Sequence, residues 1–333
     1  SLGNITFSDV INGPQALTLT AGGGNVLFNN GANVGYGTGS NLALSSINVS
    51  GANITLRNVN TLGAQTYTAS GTIDTNSMYY SDGGAITFAG NVVANSALDI
   101  ATTIGNNTGA TVTFEGTLNS ANGLAVTLDI DAGTGDVNFD GDVGAASGGA
   151  LGKATITTAE NIDTDGVFKA AGLDLAATTE IQLDGLVTST ATAKLTAALV
   201  DVNAGITAAG QLVDINAGAN GLTVDGGAID TSGVTTAGGA IDIDSVGNVV
   251  INSALVASGA DVASGAGLAG GNVTIDVTGS TGGTGNTITL TANVTSNGGA
   301  SNDSTGAGGA GGAITLTTAD GLITLDNITI ASI

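Results

Sequence analysis

The chain has 333 residues, with 56 Gly, one Pro and no Cys, His or Trp. Four Lys and Arg stand against 27 acidic residues, a formal charge of −23. This excludes the clustered cations that nucleic acid or an anionic membrane surface requires, and the lack of His and Cys removes the commonest general base and the thiol nucleophile.

Leu, Ile, Val and Phe make up about a quarter of the chain, enough for a thin, repetitive core and more than disordered sequences carry. From the N-terminus onward the dominant period is two. Ile5-Thr6-Phe7, Leu17-Thr18-Leu19, Val26-Leu27-Phe28, Ile54-Thr55-Leu56 and Ile86-Thr87-Phe88 alternate apolar with mostly polar residues and break at Gly or Asn. Such runs are short β-strands with one buried face. Phe7 and Phe28 close two of them, and Phe88, Phe114 and Phe139 close three more at a similar interval. After Phe168 the ring disappears, and Leu183, Ile243, Ile275, Leu290 and Leu316 are expected to fill the equivalent place. Helix signals are scarce, since only three of the 27 acids are Glu. The Ala-rich stretch from Ala191 to Ala204 is the one segment read as a candidate helix.

A Gly pair opens strands at Gly83-Gly84, Gly238-Gly239, Gly270-Gly271 and Gly311-Gly312. Repeats of about 20 to 30 residues without helices indicate a solenoid. The expected fold is all-β, a parallel β-helix (β-solenoid) forming a single elongated domain over residues 1–333, with coils of about 20 to 25 residues. Residues 1–145 form the Phe-containing coils. Residues 146–333 form Phe-poor coils with Gly/Ser/Ala-rich side loops at Ser258–Gly271 and Ser296–Gly312. Both ends read as interior repeats, so the stretch is expected to be a segment of a longer repeat protein or a subunit stacked head to tail.

Thr61-Leu62-Gly63-Ala64-Gln65-Thr66-Tyr67, Gly83 to Asn91 and Gly311 to Leu325 resemble the giant β-strand-repeat surface proteins of Gram-negative bacteria, the filamentous-haemagglutinin-like and autotransporter passenger adhesins. The resemblance covers the whole chain and rests on repeat style. It implies a right-handed parallel β-helix, secretion through a signal outside this stretch, an extracellular or cell-surface location, and a role in adhesion or surface structure. It brings no catalytic residues.

Two candidate sites emerge. Asp136-Val137-Asn138-Phe139-Asp140-Gly141 matches the first half of a calcium loop, although Ser147 stands where the closing Glu belongs. The candidate ligands are Asp136, Asn138, Asp140 and Asp142, and the same residues also read as an ordinary coil. Asp pairs at i, i+2 (Asp129/Asp131, Asp140/Asp142, Asp163/Asp165, Asp242/Asp244) extend the calcium reading to the outer surface, where solvated acidic turns serve equally well. Tyr79-Tyr80 is the one aromatic doublet, a candidate carbohydrate platform or else a packing contact between coils. The favoured function is a non-enzymatic structural or adhesive fibre that requires no cofactor. Its expected partners are other copies or neighbouring repeats end to end and cell-surface glycans or proteins. A self-assembling filament subunit and a carbohydrate-binding or carbohydrate-active solenoid are the alternatives.

Overall fold

Alternating side chains commit the chain to strands, and a strand three residues long is stable only when neighbours pair with it on both edges. The computed structural model describes residues 3–36, 42–105, 108–281, 284–303, 306–326 and 328–333. Among them it contains no helix, and the strand pairing is parallel apart from a small hairpin, Ser280–Thr281 with Thr284–Gly285, and one isolated bridge, Asp82 with Thr103. The chain divides into two compact units, Ser1–Ala171 and Gly172–Ile333.

In the first unit the strands form three parallel ladders. The first runs through Leu17, Ile47, Gln65, Ile86, Val112, Val137 and Ile162. The second runs through Ile5, Val26, Ile54, Ile73, Val92, Leu118, Val143 and Phe168. The third runs through Ile11, Val34, Val59, Tyr79, Ile100, Ile130 and Ile156. The second unit repeats the plan. Its first ladder takes Ile181, Val200, Leu222, Val249, Ile288 and Ile323. Its second takes Val187, Ile206, Ile229, Leu255, Val294 and Ile330. Its third takes Leu173, Ala193, Val213, Ile241, Val273 and Ile314. Each pass of the chain thus lays one rung on each ladder. The chain length between rungs varies: contacts across successive rungs join Asn203 to Asp184 over 19 residues, Asn252 to Asp225 over 27 and Thr291 to Asn252 over 39.

The core lies on the inward faces. Phe88, Phe114 and Phe139 stack at ring separations of 4.9 and 5.3 Å, as the spacing predicts. Tyr67 extends the stack over Phe88 at 5.4 Å. Phe7 and Phe28 stack separately at 5.2 Å on the second ladder. The aliphatic substitutes expected in the second unit do not form one column: Leu183 and Leu290 belong to its first ladder, Ile243, Ile275 and Leu316 to its third. Three strands per pass share the same alternation, so sequence spacing alone does not tell them apart. The Ala191–Ala204 helix is likewise corrected. Ala193–Val202 is a strand with Ala193, Leu195, Ala197, Val200 and Val202 buried, because ladder partners on both edges outweigh the helix preference of Ala.

A buried polar network sits beside the aromatic stack. Gln65 is fully buried. It donates through Nε2 to the Tyr80 carbonyl (2.6 Å) and Thr61 Oγ1 (3.1 Å), and its Oε1 accepts from the Tyr67 hydroxyl at 2.9 Å. Each polar group therefore finds the partner that burial demands.

Outside, side-chain amides bind one rung to the next. Asn4 Oδ1 accepts from the Asn25 backbone N–H at 2.9 Å, Asn25 Oδ1 from the N–H of Asn53 at 3.2 Å, and Asn53 Oδ1 from the N–H of Thr72 at 3.0 Å. Asn91 Oδ1 receives the Thr117 N–H and Asp142 Oδ1 the Val167 N–H in the same way. All these residues immediately precede a rung of the second ladder. Asn53→Ala removes three exposed bonds, from its Nδ2 to Asn25 Oδ1 and to its Oδ1 from the Thr72 N–H and Oγ1, and is expected to destabilise the first unit by about 1–2 kcal/mol, read as a lower urea midpoint with an unchanged slope. No change in midpoint would show that water replaces the amide.

Candidate functional surface

The predicted calcium ligands do not converge. Val137 and Phe139 point into the core between Asp136, Asn138 and Asp140, so the acidic segment is an ordinary rung. Asp136 Oδ1 accepts from Asn161 Nδ2 at 2.8 Å, and Asp142 Oδ1 is engaged by the Val167 N–H at 2.9 Å. Asp140 is exposed, and Asp136, Asp140 and Asp142 form no three-carboxylate cluster among the described residues. Asp131, from the predicted outer pairs, accepts from Thr103 Oγ1 at 2.7 Å, from Thr158 Oγ1 and from the Gly133 N–H at 3.3 Å. Protein donors occupy the carboxylates of Asp131, Asp136 and Asp142.

The tyrosine doublet is divided by the pleat. Tyr79 is fully buried, edge-on to Tyr67 and Phe88 at 6.0 and 5.4 Å, and its hydroxyl accepts from the Asn76 N–H at 3.3 Å. It presents no face to a sugar. Tyr80 points the other way, half-buried on the outer surface, and donates to Asp99 Oδ2 at 2.5 Å. Burial, followed by that bond, holds its phenol above the usual range. Burial and the Asp99 charge push Tyr36 up to about 12. Adjacent residues on a strand face opposite sides, a signal that already argues in the sequence against a two-ring platform.

Acidic side chains gather on the outer face of the third ladder in the second unit. Register places Asp174, Lys194, Asp214, Asp242, Thr274 and Thr315 in one outward column. The parallel column carries Thr196, Asn216, Asp244, Asp276 and Thr317. Neighbours along each column lie about 4.8 Å apart, so four carboxylates crowd four adjacent positions. Lys194 stands between Asp174 and Asp214, where alternating charge favours this register over a slip. Beside the columns runs an open groove of about 360 Å³, lined by Thr196, Ala198, Asn216, Gly218, Asp244 and Val246 among others. The i, i+2 motif at Asp242 and Asp244 was legible in the sequence, whereas the stacked neighbours Asp214 and Asp276 emerge only from the register.

No protein family, no curated protein and no solved structure matches the chain.

The crowding has a pH consequence. Burial, then the charges of Asp244 and Asp214, raise the Asp242 carboxyl above the usual range. Burial also raises Asp201; a hydrogen bond from Asn203 opposes this, and the charges of Asp225 and Asp184 add to it. A raised folded-state value means that the native chain binds more protons than the unfolded chain between the ordinary carboxylate value and the raised one. Stability contributed by these groups therefore grows as pH falls through that window and is lost as pH rises. The second unit is expected to melt at a higher temperature in mildly acidic than in neutral buffer, and Asp242→Asn is expected to reduce the difference. A difference that is unchanged in the variant would remove Asp242 from the explanation.

Proposed function

We propose that the chain is a non-enzymatic structural or adhesive fibre of a cell surface, a stretch of a right-handed parallel β-helix. The observation that carries this reading is the set of three parallel ladders in each unit, inward faces aliphatic, with aromatic rings added in the first unit, and outward faces Thr, Asn and Asp. Such a plan grows by repetition, and stability accumulates rung by rung between neighbours. Its surface carries excess negative charge, which keeps copies from clumping and draws basic groups. The repeat style shared with giant secreted adhesins supports an extracellular location.

The contact surface in this reading is the acidic face of Asp214, Asp242, Asp244 and Asp276 with its groove, and the partner is a cell-surface protein or glycan bearing positive charge. The test uses beads coated with the purified chain and an antibody applied to intact source cells. Expected are surface labelling without permeabilisation, bead attachment that weakens with added salt, and a loss of attachment in the double variant Asp242→Asn with Asp244→Asn. Labelling only after permeabilisation overturns the location, and attachment indifferent to the double variant overturns the contact face.

A head-to-tail assembly is the second reading. Each ladder grows by adding parallel rungs of the same alternation, so one copy can continue the ladders of the next. Sedimentation over a concentration series tests it: growing linear species support assembly of copies, and a single concentration-independent species opposes it.

A further inference from the structure

Five Asn-Gly steps occur in the chain, at Asn12, Asn30, Asn122, Asn220 and Asn297. Asn-Gly is the peptide step most open to self-reaction, because no Cβ hinders the approach of the following backbone nitrogen to the side-chain carbonyl carbon. The nitrogen attacks only when it has lost its proton, so an N–H held in a backbone hydrogen bond is protected.

The structure separates the five. Gly13 donates to the Leu42 carbonyl at 3.1 Å, Gly123 to Gly148 at 3.0 Å and Gly298 to Ile333 at 2.7 Å. Gly221 is fixed inside the strand Val213–Val224, paired with Leu199. Gly31 differs. Asn29 to Ala32 form a turn closed by the Ala32 N–H to the Asn29 carbonyl at 2.9 Å, with Gly31 at φ +94°. Asn29, Asn30 and Gly31 are exposed, a side chain at Gly31 would meet only the Ser8 carbonyl at 4.0 Å, and among the described residues nothing accepts the Gly31 N–H.

We propose that Asn30-Gly31 is a self-modification site that converts to aspartate and isoaspartate while the fold persists. Solvent base takes the Gly31 amide proton, and the nitrogen forms a bond to Asn30 Cγ. The Cγ–Nδ2 bond breaks, and ammonia leaves to give a five-membered succinimide. Water then adds across either of the two ring carbonyl–nitrogen bonds, producing aspartate or isoaspartate. The turn lies between the second-ladder strand Val26–Phe28 and the third-ladder bridge at Val34. The extra backbone methylene of isoaspartate therefore falls outside every rung, and one more negative charge joins the surface.

The test is incubation of the intact chain in mildly alkaline buffer, with peptide mapping by mass spectrometry and enzymatic labelling of isoaspartate. Asn30 is expected to convert about tenfold faster than Asn12, Asn122 or Asn297, the factor set by freeing one backbone hydrogen bond. In concentrated urea the native rate differences are expected to collapse toward sequence-determined rates. Conversion of Asn122 or Asn297 as fast as Asn30 in the native chain overturns the proposal, as does persistence of the same Asn30 advantage in urea.

Discussion

Phe114→Ala is expected to lower the stability of the first unit by about 3–5 kcal/mol, the range for deleting a phenyl ring from a core that cannot collapse around the void. Phe114 is fully buried between Phe88 and Phe139, at 4.9 and 5.3 Å with interplanar angles of 11° and 8°. Removing the middle ring breaks both stacking contacts at once, each worth about 0.5–1.5 kcal/mol beyond the area buried. Backbone ladders hold the rungs above and below at fixed spacing, so neighbouring side chains have little freedom to close the gap. Phe114→Leu retains most of the volume and is expected to lose less than half as much. Urea unfolding of both variants measures the effect, and hydrogen exchange of the strands Ile86–Ala101 and Val137–Phe139 shows whether the loosening stays local. If Ala and Leu prove equally mild, the aromatic stack is dispensable.

Gly271→Ala is the second large effect, and its sign is informative. The backbone at Gly271 is not left-handed. Ala there would ordinarily stabilise by restricting the unfolded chain. Space reverses the expectation. An added Cβ would stand 1.9 Å from the Gly239 carbonyl oxygen, on the preceding rung, while Gly312 on the following rung packs with its own Cβ position 2.1 Å from the Gly271 carbonyl oxygen. Backbone cannot rotate aside as a side chain can, so the rungs must separate. A loss of about 3 kcal/mol is expected, the upper end for overpacking. That corresponds to a fall in melting temperature of about 6–12 °C for a unit of this size. Gly308→Ala serves as the control: its Cβ position meets only the Gly299 carbonyl oxygen at 3.8 Å, and its φ is likewise not left-handed. Equal effects at the two positions would show that the close approach at Gly271 is not what selects Gly.

These two sites also mark how far the sequence could be read. The phenyl stack was legible because Phe88, Phe114 and Phe139 repeat in one register, and period-two alternation fixes which way each ring points. The Gly pairs before Ile241, Val273 and Ile314 were legible as strand openers, and the structure gives their reason, the contact of carbonyl and α-carbon across rungs. Ladder membership was not legible, because all three strands of a pass carry the same alternation. Only pairing shows that Leu183 and Ile243 belong to different ladders. Tyr67 joins the phenyl column only because Gln65 supplies its hydroxyl with a buried acceptor, a pairing that the spacing of Phe residues does not reveal. The Asn column was in plain view as the residue before Ile5, Val26, Ile54 and Val92, but its meaning depends on which rung lies next door. The acidic face behaved likewise: half of it could be read along the strand, and half lies across strands.

The uneven chain length between rungs, 19 residues in one place and 39 in another, separates architecture from residue counting. Register is set by side chains within each strand, so the connecting segments are free to lengthen without disturbing the pitch. Closing a loop of doubled length costs only about 0.6 kcal/mol. Insertions at the exposed positions 263–266, where an atom added at Gly265 would meet nothing within 4 Å, therefore offer a route to display foreign peptides, whereas Gly259, Gly267 and Gly270 on either side are held against neighbouring backbone.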